Sequence, residues 1–207
     1  MTVIDFKKTQ RDLYRPKTSP SIIEVPEMIF IAVDGVGNPN ISSEYAKAIE
    51  TLYGLSYTIK MGNKKTLEYV VLPLEGFWSM ADGATWDGCS PIDDKNSFMW
   101  TMLIRQPDFV NQEIFDAAIE SLAKKKPHLD TSKARLIPYT EGLSVQAMHL
   151  GSYDDEPKTI AAMNRFAADN GYRIDLGDER RHHEIYLSDP RKVVPEKLKT
   201  IIRHPIC

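Results

Sequence analysis

The chain has 207 residues, of which 42% are hydrophobic and 27% are charged, as in ordinary soluble globular proteins. Its formal net charge of −3 gives no excess of positive charge for nucleic acid or anionic lipid, so neither is expected as a partner. No apolar stretch approaches the roughly 20 residues that span a bilayer, and no signal peptide is evident, so we expect a cytoplasmic protein.

Predicted strands and helices alternate along the chain. Residues 1–20 are polar and basic and are expected to form an arm over the body of the protein. Apolar and β-branched runs predict strands at 21–35, 67–74, 97–107, 134–139, 143–151 and 182–190. Apolar residues at helical spacing, with start and stop signals, predict helices at 41–60, 110–127, 156–171 and 194–206.

The order of these elements repeats. A strand, a turn, a helix and a strand occur within residues 21–107 and again within 134–190, and helix 110–127 links the two stretches. We therefore expect residues 21–207 to form one domain with two similar halves that share a sheet. Helices would cover one face of that sheet, and the other face would be concave, as ligand sites often are.

The stretch HHEIYLSDP, residues 182–190, raises the main question about function. On a strand, Glu184 and Tyr186 share one face and Ile185 and Leu187 share the other. In the proposed sheet the first pair would line the cleft and the second would face the helices. A solvated surface carboxylate is the alternative for Glu184. His182 and Glu184 could supply two metal ligands, but the sequence shows no third, so no metal is expected.

Aromatic residues suggest what the cleft would bind. Strand 97–107 is apolar on both faces, and its stripe of Phe98, Trp100, Met102 and Ile104 is either core, a subunit interface or the floor of a ligand cleft. The loop at 79–97 carries Trp86 and two glycines, which is typical either of a cover over a cleft or of a plain surface connection.

Several stretches resemble the GyrI-like small-molecule-binding family. They are LPLEGFW (72–78), FMWTMLIRQP (98–107), HLGSYDDEPKTI (149–160), GYRI (171–174) and HEIYLSDPRKVVPEKLKTIIRHPI (183–206). The resemblance implies an α+β fold of duplicated βαβ-type units that form one antiparallel sheet, with helices on one face and a ligand cleft on the other. It also implies that Glu184 is the buried carboxylate that faces the ligand.

The stand-alone chain looks most similar to a subfamily of cyclopropanoid cyclopropyl hydrolases. These open the strained cyclopropane of lipophilic DNA-alkylating natural products of the yatakemycin type. By this resemblance Glu184 is catalytic, and the flat substrate is expected to contact Trp100, Tyr139, Tyr186, Trp78, Met102 and Trp86. No cofactor is required, and a monomer or homodimer is expected. The alternative is a non-catalytic protein that sequesters lipophilic or cationic drugs.

Overall fold

A computed structural model describes residues 3–80 and 94–207 of the chain. Its helices are α1 (Phe6–Thr9), α2 (Arg11–Tyr14), α3 (Ser43–Gly62), α4 (Gln112–Lys125) and α5 (Glu156–Asp169). Its strands are β1 (Ser21–Val36), β2 (Leu74–Met80), β3 (Phe98–Gln106), β4 (Arg135–Leu150), β5 (His182–Tyr186) and β6 (Lys199–Pro205). Short 3-10 turns occupy Lys95–Ser97, Tyr153–Asp155 and Pro195–Lys197. No helix within the described ranges is long and apolar enough to cross a membrane.

The six strands form one antiparallel sheet in the order β1-β3-β2-β5-β6-β4. The sheet closes on itself because β4 also pairs with β1 over Ser21 to Ala32. Together with the helices this confirms the predicted α+β class with a single antiparallel sheet. Closure leaves each strand with a hydrogen-bonded neighbour on both sides, which removes the open edges that promote aggregation.

The sheet consists of two units with the same order of elements. The first is β1–α3–β2–β3, and the second is β4–α5–β5–β6. The units meet where β1 pairs with β4 and where β2 pairs with β5. Strand β6 has the same place in the second unit as β3 has in the first. The second unit therefore extends beyond residue 190, where the sequence had predicted its end.

The terminal helix predicted at 194–206 is wrong. A 3-10 turn at Pro195–Lys197 leads instead into β6, which pairs with both β4 and β5. Three consecutive β-branched residues, Thr200, Ile201 and Ile202, favour a strand. The strand also buries both of its faces, and a residue pattern that is apolar on both sides can be mistaken for a helix when the segment is short.

Two other boundaries differ from the prediction. The strand expected at 67–74 begins only at Leu74, just after Pro73, and before it Tyr69 makes an isolated bridge with Ile4 of the N-terminal arm. Proline lacks the N–H that a sheet ladder needs, which fits a strand that starts directly after it. The strands expected at 134–139 and 143–151 are one continuous strand, β4.

Helices α3 and α5 cover one side of the sheet, which we call the helix face. The side chain of Ser42 accepts a hydrogen bond from the backbone of Tyr45 and caps the start of α3, as the sequence indicates. In α5, Ile160 and Met163 are fully buried in a cluster that also contains Val145 of β4 and Ile202 of β6. These contacts fix the position of α5 over the sheet.

The opposite side of the closed sheet, the enclosed face, holds a buried network of charges. The Nδ1 atom of His183 lies 3.0 and 3.1 Å from the carboxylate oxygens of Glu141, and its Nε2 atom lies 3.0 Å from Glu75. Arg203 donates to Glu141 at 3.3 Å and also to the backbone oxygen of Leu13 in the arm. The network therefore joins both units of the sheet to the N-terminal residues.

These partners set the charge of His183. Burial alone would lower the pKa of its imidazole, but the charge of Glu141 and the hydrogen bonds that its two N–H groups donate to Glu141 and Glu75 raise that pKa to about 9. Burial likewise opposes ionisation of Glu141, yet His183 and Arg203 lower its pKa to about 2. Both shifts describe one interaction, so their free energies are not added.

We predict that the protein loses stability as the pH rises from neutral toward 9. The folded state binds a proton at His183 that the unfolded chain releases near its ordinary pKa of 6.5. The protonated His183 therefore makes its full contribution to the free energy of unfolding below pH 6.5, and this contribution is lost as the pH passes about 9. The shift corresponds to about 3 kcal/mol. Urea unfolding at a series of pH values measures it.

The matched control is His128→Gln, because the His128 side chain is 65% exposed. This variant should keep the decline in unfolding free energy between pH 6.5 and 9, whereas His183→Gln should flatten it. An unfolding free energy of the unmodified protein that stays constant over that range would show that His183 is not held in the charged form.

Candidate functional site

Strand β5 places Glu184 and Tyr186 on the helix face. Glu184 lies opposite Gly76 of β2 on one side and Ile202 of β6 on the other. The sequence had predicted Glu184 and Tyr186 on the face away from the helices, with Ile185 facing the helices. That prediction is wrong, since Ile185 lies on the enclosed face instead. The sheet buries both of its faces, so the alternation of residues along β5 does not tell which face the helices cover. Glu184 is only 6% exposed, which rules out a solvated surface carboxylate.

A hydrogen bond to His182 holds the Glu184 carboxylate. The Nε2 atom of His182 lies 2.9 Å from Oε1 of Glu184. The hydroxyl of Tyr186, two residues further along the same strand, accepts a hydrogen bond from Nε1 of Trp78 at 2.9 Å. Burial, followed by the charge of Glu184, raises the pKa of Tyr186 well above its ordinary value, so the hydroxyl keeps its proton.

Five rings lie on the same face as this carboxylate or pack over that face, and we call them the aromatic cage: Tyr45, Trp78, Trp100, Tyr153 and Tyr186. The ring of Tyr45, from α3, meets Trp100 edge-on at 5.2 Å and lies 6.2 Å from Trp78. The ring of Tyr153, from the turn before α5, meets Tyr186 edge-on at 5.9 Å. The cage therefore lies between the two helices that cover the helix face, with rings from both units.

Two glycines make room for the cage. Gly35 lies directly opposite Trp100, and a Cβ atom at Gly35 would fall 2.1 Å from the indole ring. A Cβ atom at Gly76 would fall 2.9 Å from Nε1 of Trp78 and 3.1 Å from the Tyr186 hydroxyl. Neither position shows a positive φ angle, so the close approach of the rings is what requires glycine.

Glu156, the first residue of α5, completes the site and was missed in the sequence. It is 3% exposed, and one of its carboxylate oxygens lies within 4.8 Å of a carboxylate oxygen of Glu184. Burial and then the charge of Glu184 raise its pKa well above the ordinary value. In the sequence it follows Asp154 and Asp155 at a helix start, where acidic residues are common, so no sequence signal separates it from its neighbours.

The sequence offered His182 and Glu184 as two possible metal ligands, and the structure adds Glu156 as a third. One donor atom each from Glu156, His182 and Glu184 lie within 4.8 Å of one another. Two carboxylates and an imidazole suit a divalent cation in principle. In this structure, however, the Nε2 atom of His182 is hydrogen-bonded to Glu184 itself, and the other ring nitrogen lies 2.7 Å from Nε2 of His204.

The remaining predicted residues have different positions. Met102 is fully buried next to Gly76: a Cβ atom added at Gly76 would lie 3.2 Å from the Met102 sulfur. Met102 therefore belongs to the floor of the cage. Tyr139 is not part of the cage: its ring packs on Phe77 at 4.8 Å, on the enclosed face, and its hydroxyl donates to the backbone oxygen of Glu179. Trp86, with most of the predicted cover at 79–97, lies outside the described residues.

The family model for the GyrI-like small molecule binding domain matches residues 18–206. The chain belongs to the GyrI-like family. The domain that this family model describes is one that binds small molecules.

Solved structures from Listeria innocua resemble this family member over its whole length. An uncharacterised conserved protein is 46% identical with a TM-score of 0.91, and it covers 99% of this chain and 100% of its own. A protein described as a hydrolase is 44% identical with a TM-score of 0.88 and the same coverage. The C-terminal domain of EcmrR, at 14% identity and a TM-score of 0.54, shares the fold alone, with 91% and 96% of the two chains covered. No curated protein matches the chain.

We predict that Gly76→Ala opens the aromatic cage and weakens ligand binding. The new methyl group would lie too close to Nε1 of Trp78, the Tyr186 hydroxyl and the sulfur of Met102, so the Trp78–Tyr186 hydrogen bond must lengthen or break. The control is Gly62→Ala, since nothing lies within 4 Å of that site. Quenching of tryptophan fluorescence by a flat aromatic cation, such as ethidium, measures binding.

The expected result is a loss of affinity of about tenfold for Gly76→Ala, or about 1.4 kcal/mol, because the displaced rings no longer meet a flat ligand in their original positions. The Gly62→Ala variant should bind as the unmodified protein does. Equal affinity in both variants would mean that the ligand does not occupy the space between these rings.

Proposed function

We propose that this GyrI-like protein is a detoxifying hydrolase for flat, lipophilic molecules that carry a strained cyclopropane. The substrate class would be DNA-alkylating natural products of the yatakemycin type. The proposal is supported by the 44% identity to a Listeria innocua protein described as a hydrolase over nearly the whole chain. It is also supported by the resemblance of EGFW (75–78) and FMWTMLIRQP (98–107) to cyclopropanoid cyclopropyl hydrolases.

The aromatic cage suits a flat substrate. Each well-placed pair of rings contributes about 0.5–1.5 kcal/mol beyond the area that it buries. Trp78 and Tyr186 are already held to each other by a hydrogen bond, so little side-chain freedom is lost when a ligand contacts them. The indole N–H of Trp100 is buried without an acceptor among the described residues, so it remains available for a polar group of the ligand.

Glu184 would act as the general base. It takes a proton from a water molecule, whose oxygen forms a bond to the less substituted carbon of the cyclopropane. The strained C–C bond breaks, and its electron pair moves into the conjugated carbonyl system, which then takes up a proton. Water is thereby added across the broken bond. General-base assistance of this kind accelerates a reaction by about 10²–10⁴-fold.

The observation that carries the proposal is the position of Glu184. It is a buried carboxylate, held by a hydrogen bond to His182, with aromatic rings on the same face of the sheet. A carboxylate that served only the fold would be expected to pair with a cation such as arginine or lysine. Among the described residues its hydrogen-bond partner is instead the imidazole of His182, which leaves it able to act as a base.

A binding-only protein that sequesters lipophilic cations is the second candidate. The observation that favours it is the same carboxylate among rings, because rings and a negative charge together attract a cation. The two candidates differ in one respect. The hydrolase changes its ligand chemically, whereas the binding protein returns it unchanged.

We predict that Glu184→Gln keeps the fold and the ligand but loses turnover. The amide has nearly the same shape as the carboxylate but cannot accept a proton from water. Single-turnover rates with a yatakemycin-type substrate should fall by about 10²–10⁴-fold, while binding of that substrate changes little.

The matched control is Glu27→Gln, since Glu27 is an exposed carboxylate on strand β1. This control should keep the full rate. An unchanged single-turnover rate in folded Glu184→Gln would remove Glu184 from the mechanism. The binding-only candidate would be favoured if the unmodified protein shows no turnover and Glu184→Gln no longer binds the compound.

A further inference from the structure

The carboxylate of Glu156 is buried, and one of its oxygens lacks a hydrogen-bond donor. Glu156 is the first residue of α5 and is 3% exposed. Within the described ranges of the chain, no N–H or O–H group hydrogen-bonds to its Oε1 atom. The large majority of buried polar atoms have a partner, because a buried acceptor without one costs about 1–3 kcal/mol. The Oε1 atom of Glu156 is therefore suited to bind a ligand.

Two further donor atoms lie beside this carboxylate. One donor atom each from Glu156, His182 and Glu184 lie within 4.8 Å of one another, and all three residues are buried. The Nε2 atom of His182 is 2.9 Å from Oε1 of Glu184. Donor atoms that share a zinc ion lie about 3–3.5 Å apart, since each is bonded to the metal at about 2.0–2.2 Å. The pair on β5 already has nearly this spacing, and a small shift of the Glu156 side chain would complete the set.

A second imidazole supports His182 as a metal ligand. A metal-binding histidine offers a lone pair from one ring nitrogen and usually donates the N–H of the other to a neighbouring acceptor. The Nδ1 atom of His182 lies 2.7 Å from Nε2 of His204. With a proton on Nδ1, His182 donates to His204, and the lone pair of its Nε2 atom faces the carboxylate of Glu184. A cation between these two acceptors would bind both of them.

The charges and atom types of this set select the class of ion. Glu156 and Glu184 can bring two negative charges, and in the part of the chain that the structure describes no lysine or arginine forms an ion pair with either. An imidazole nitrogen together with carboxylate oxygens suits zinc and other first-row divalent metal ions. Mg²⁺ and Ca²⁺ prefer sites made of oxygen ligands and water. The set therefore favours a transition-metal ion.

We propose that Glu156, His182 and Glu184 form a binding site for a divalent transition-metal ion such as Zn²⁺. The site lies on the helix face, between α5 and the sheet. The ion would bind the same carboxylate that acts as the base in the proposed hydrolase, so the metal-bound form would be a second state of the site. Binding of the ion requires no substrate, and the inference does not rest on the proposed function.

Calorimetric titration of the full-length protein with Zn²⁺ tests the site. The protein is first treated with a chelator, which is then removed. We expect saturable binding of a single ion per chain. Glu156→Gln and Glu184→Gln should each weaken that binding by at least about tenfold, because an amide replaces a charged ligand. The matched control is Glu113→Gln, since Glu113 is an exposed glutamate in the first turn of α4, and it should bind Zn²⁺ as the unmodified protein does.

Three results would overturn the proposal. The first is the absence of saturable Zn²⁺ binding by the unmodified protein. The second is unchanged affinity in Glu156→Gln or Glu184→Gln, because the ion would then be held elsewhere, for example at the exposed side chains of His128 or Cys207. The third is equal affinity for Mg²⁺, which would indicate general attraction to acidic groups. Circular dichroism shows which variants are folded, and either folded variant is sufficient for the comparison.

The titration also separates this proposal from the proposed function. A protein that binds Zn²⁺ through these residues but does not open a cyclopropane would leave the metal site standing and remove the hydrolase. A protein that opens the ring but shows no saturable Zn²⁺ binding would do the reverse.

Discussion

The structure depends on the burial of ionisable side chains on both faces of one short strand. Strand β5 carries His182 and Glu184 on the helix face and His183 on the enclosed face, and none is more than 6% exposed. Burial of an unpaired charge costs several kcal/mol, so each of these groups requires a partner from elsewhere in the chain. Those partners come from β2, β4, β6 and α5, which means that both units must be assembled before β5 is stable.

The two faces of β5 have different consequences. On the enclosed face, His183 and Arg203 pair with the carboxylates of Glu141 and Glu75, and the network ties the N-terminal arm to the sheet. On the helix face, no arginine or lysine of the described residues hydrogen-bonds to Glu184. A negative charge that lies beside aromatic rings without a counter-charge from lysine or arginine is poorly suited to stabilise a fold, but it is well suited to a ligand or to a reacting water molecule.

Much of the fold could be predicted from the sequence, because the patterns are local. Ser42 and Asn111 cap α3 and α4, and apolar and β-branched runs marked β1 and β3. The segment at 194–206 could not be assigned correctly, since β6 is buried on both faces and has no alternation to mark it. The face of Glu184 was mistaken for a similar reason: both sides of β5 are buried, so pattern alone could not say which side the helices cover.

The site could be predicted only in part. Glu184, Tyr186, Trp78, Trp100 and Met102 lie together because they occupy neighbouring strands with the alternation that a sheet imposes. Tyr139 was misplaced, since its register against β1 puts it on the enclosed face. Tyr45, Tyr153 and Glu156 were missed because they come from a helix and a turn whose packing over the sheet is a tertiary property.

The central claim is that the site adds water to a strained ring, and one measurement tests it most directly. Purified protein is incubated with a yatakemycin-type compound in water labelled with a heavy oxygen isotope, and the products are examined by mass spectrometry. The account predicts a ring-opened product that carries one labelled oxygen, formed faster than in buffer alone and not formed faster with Glu184→Gln. Quantitative recovery of the intact compound, bound to a folded protein, would contradict it.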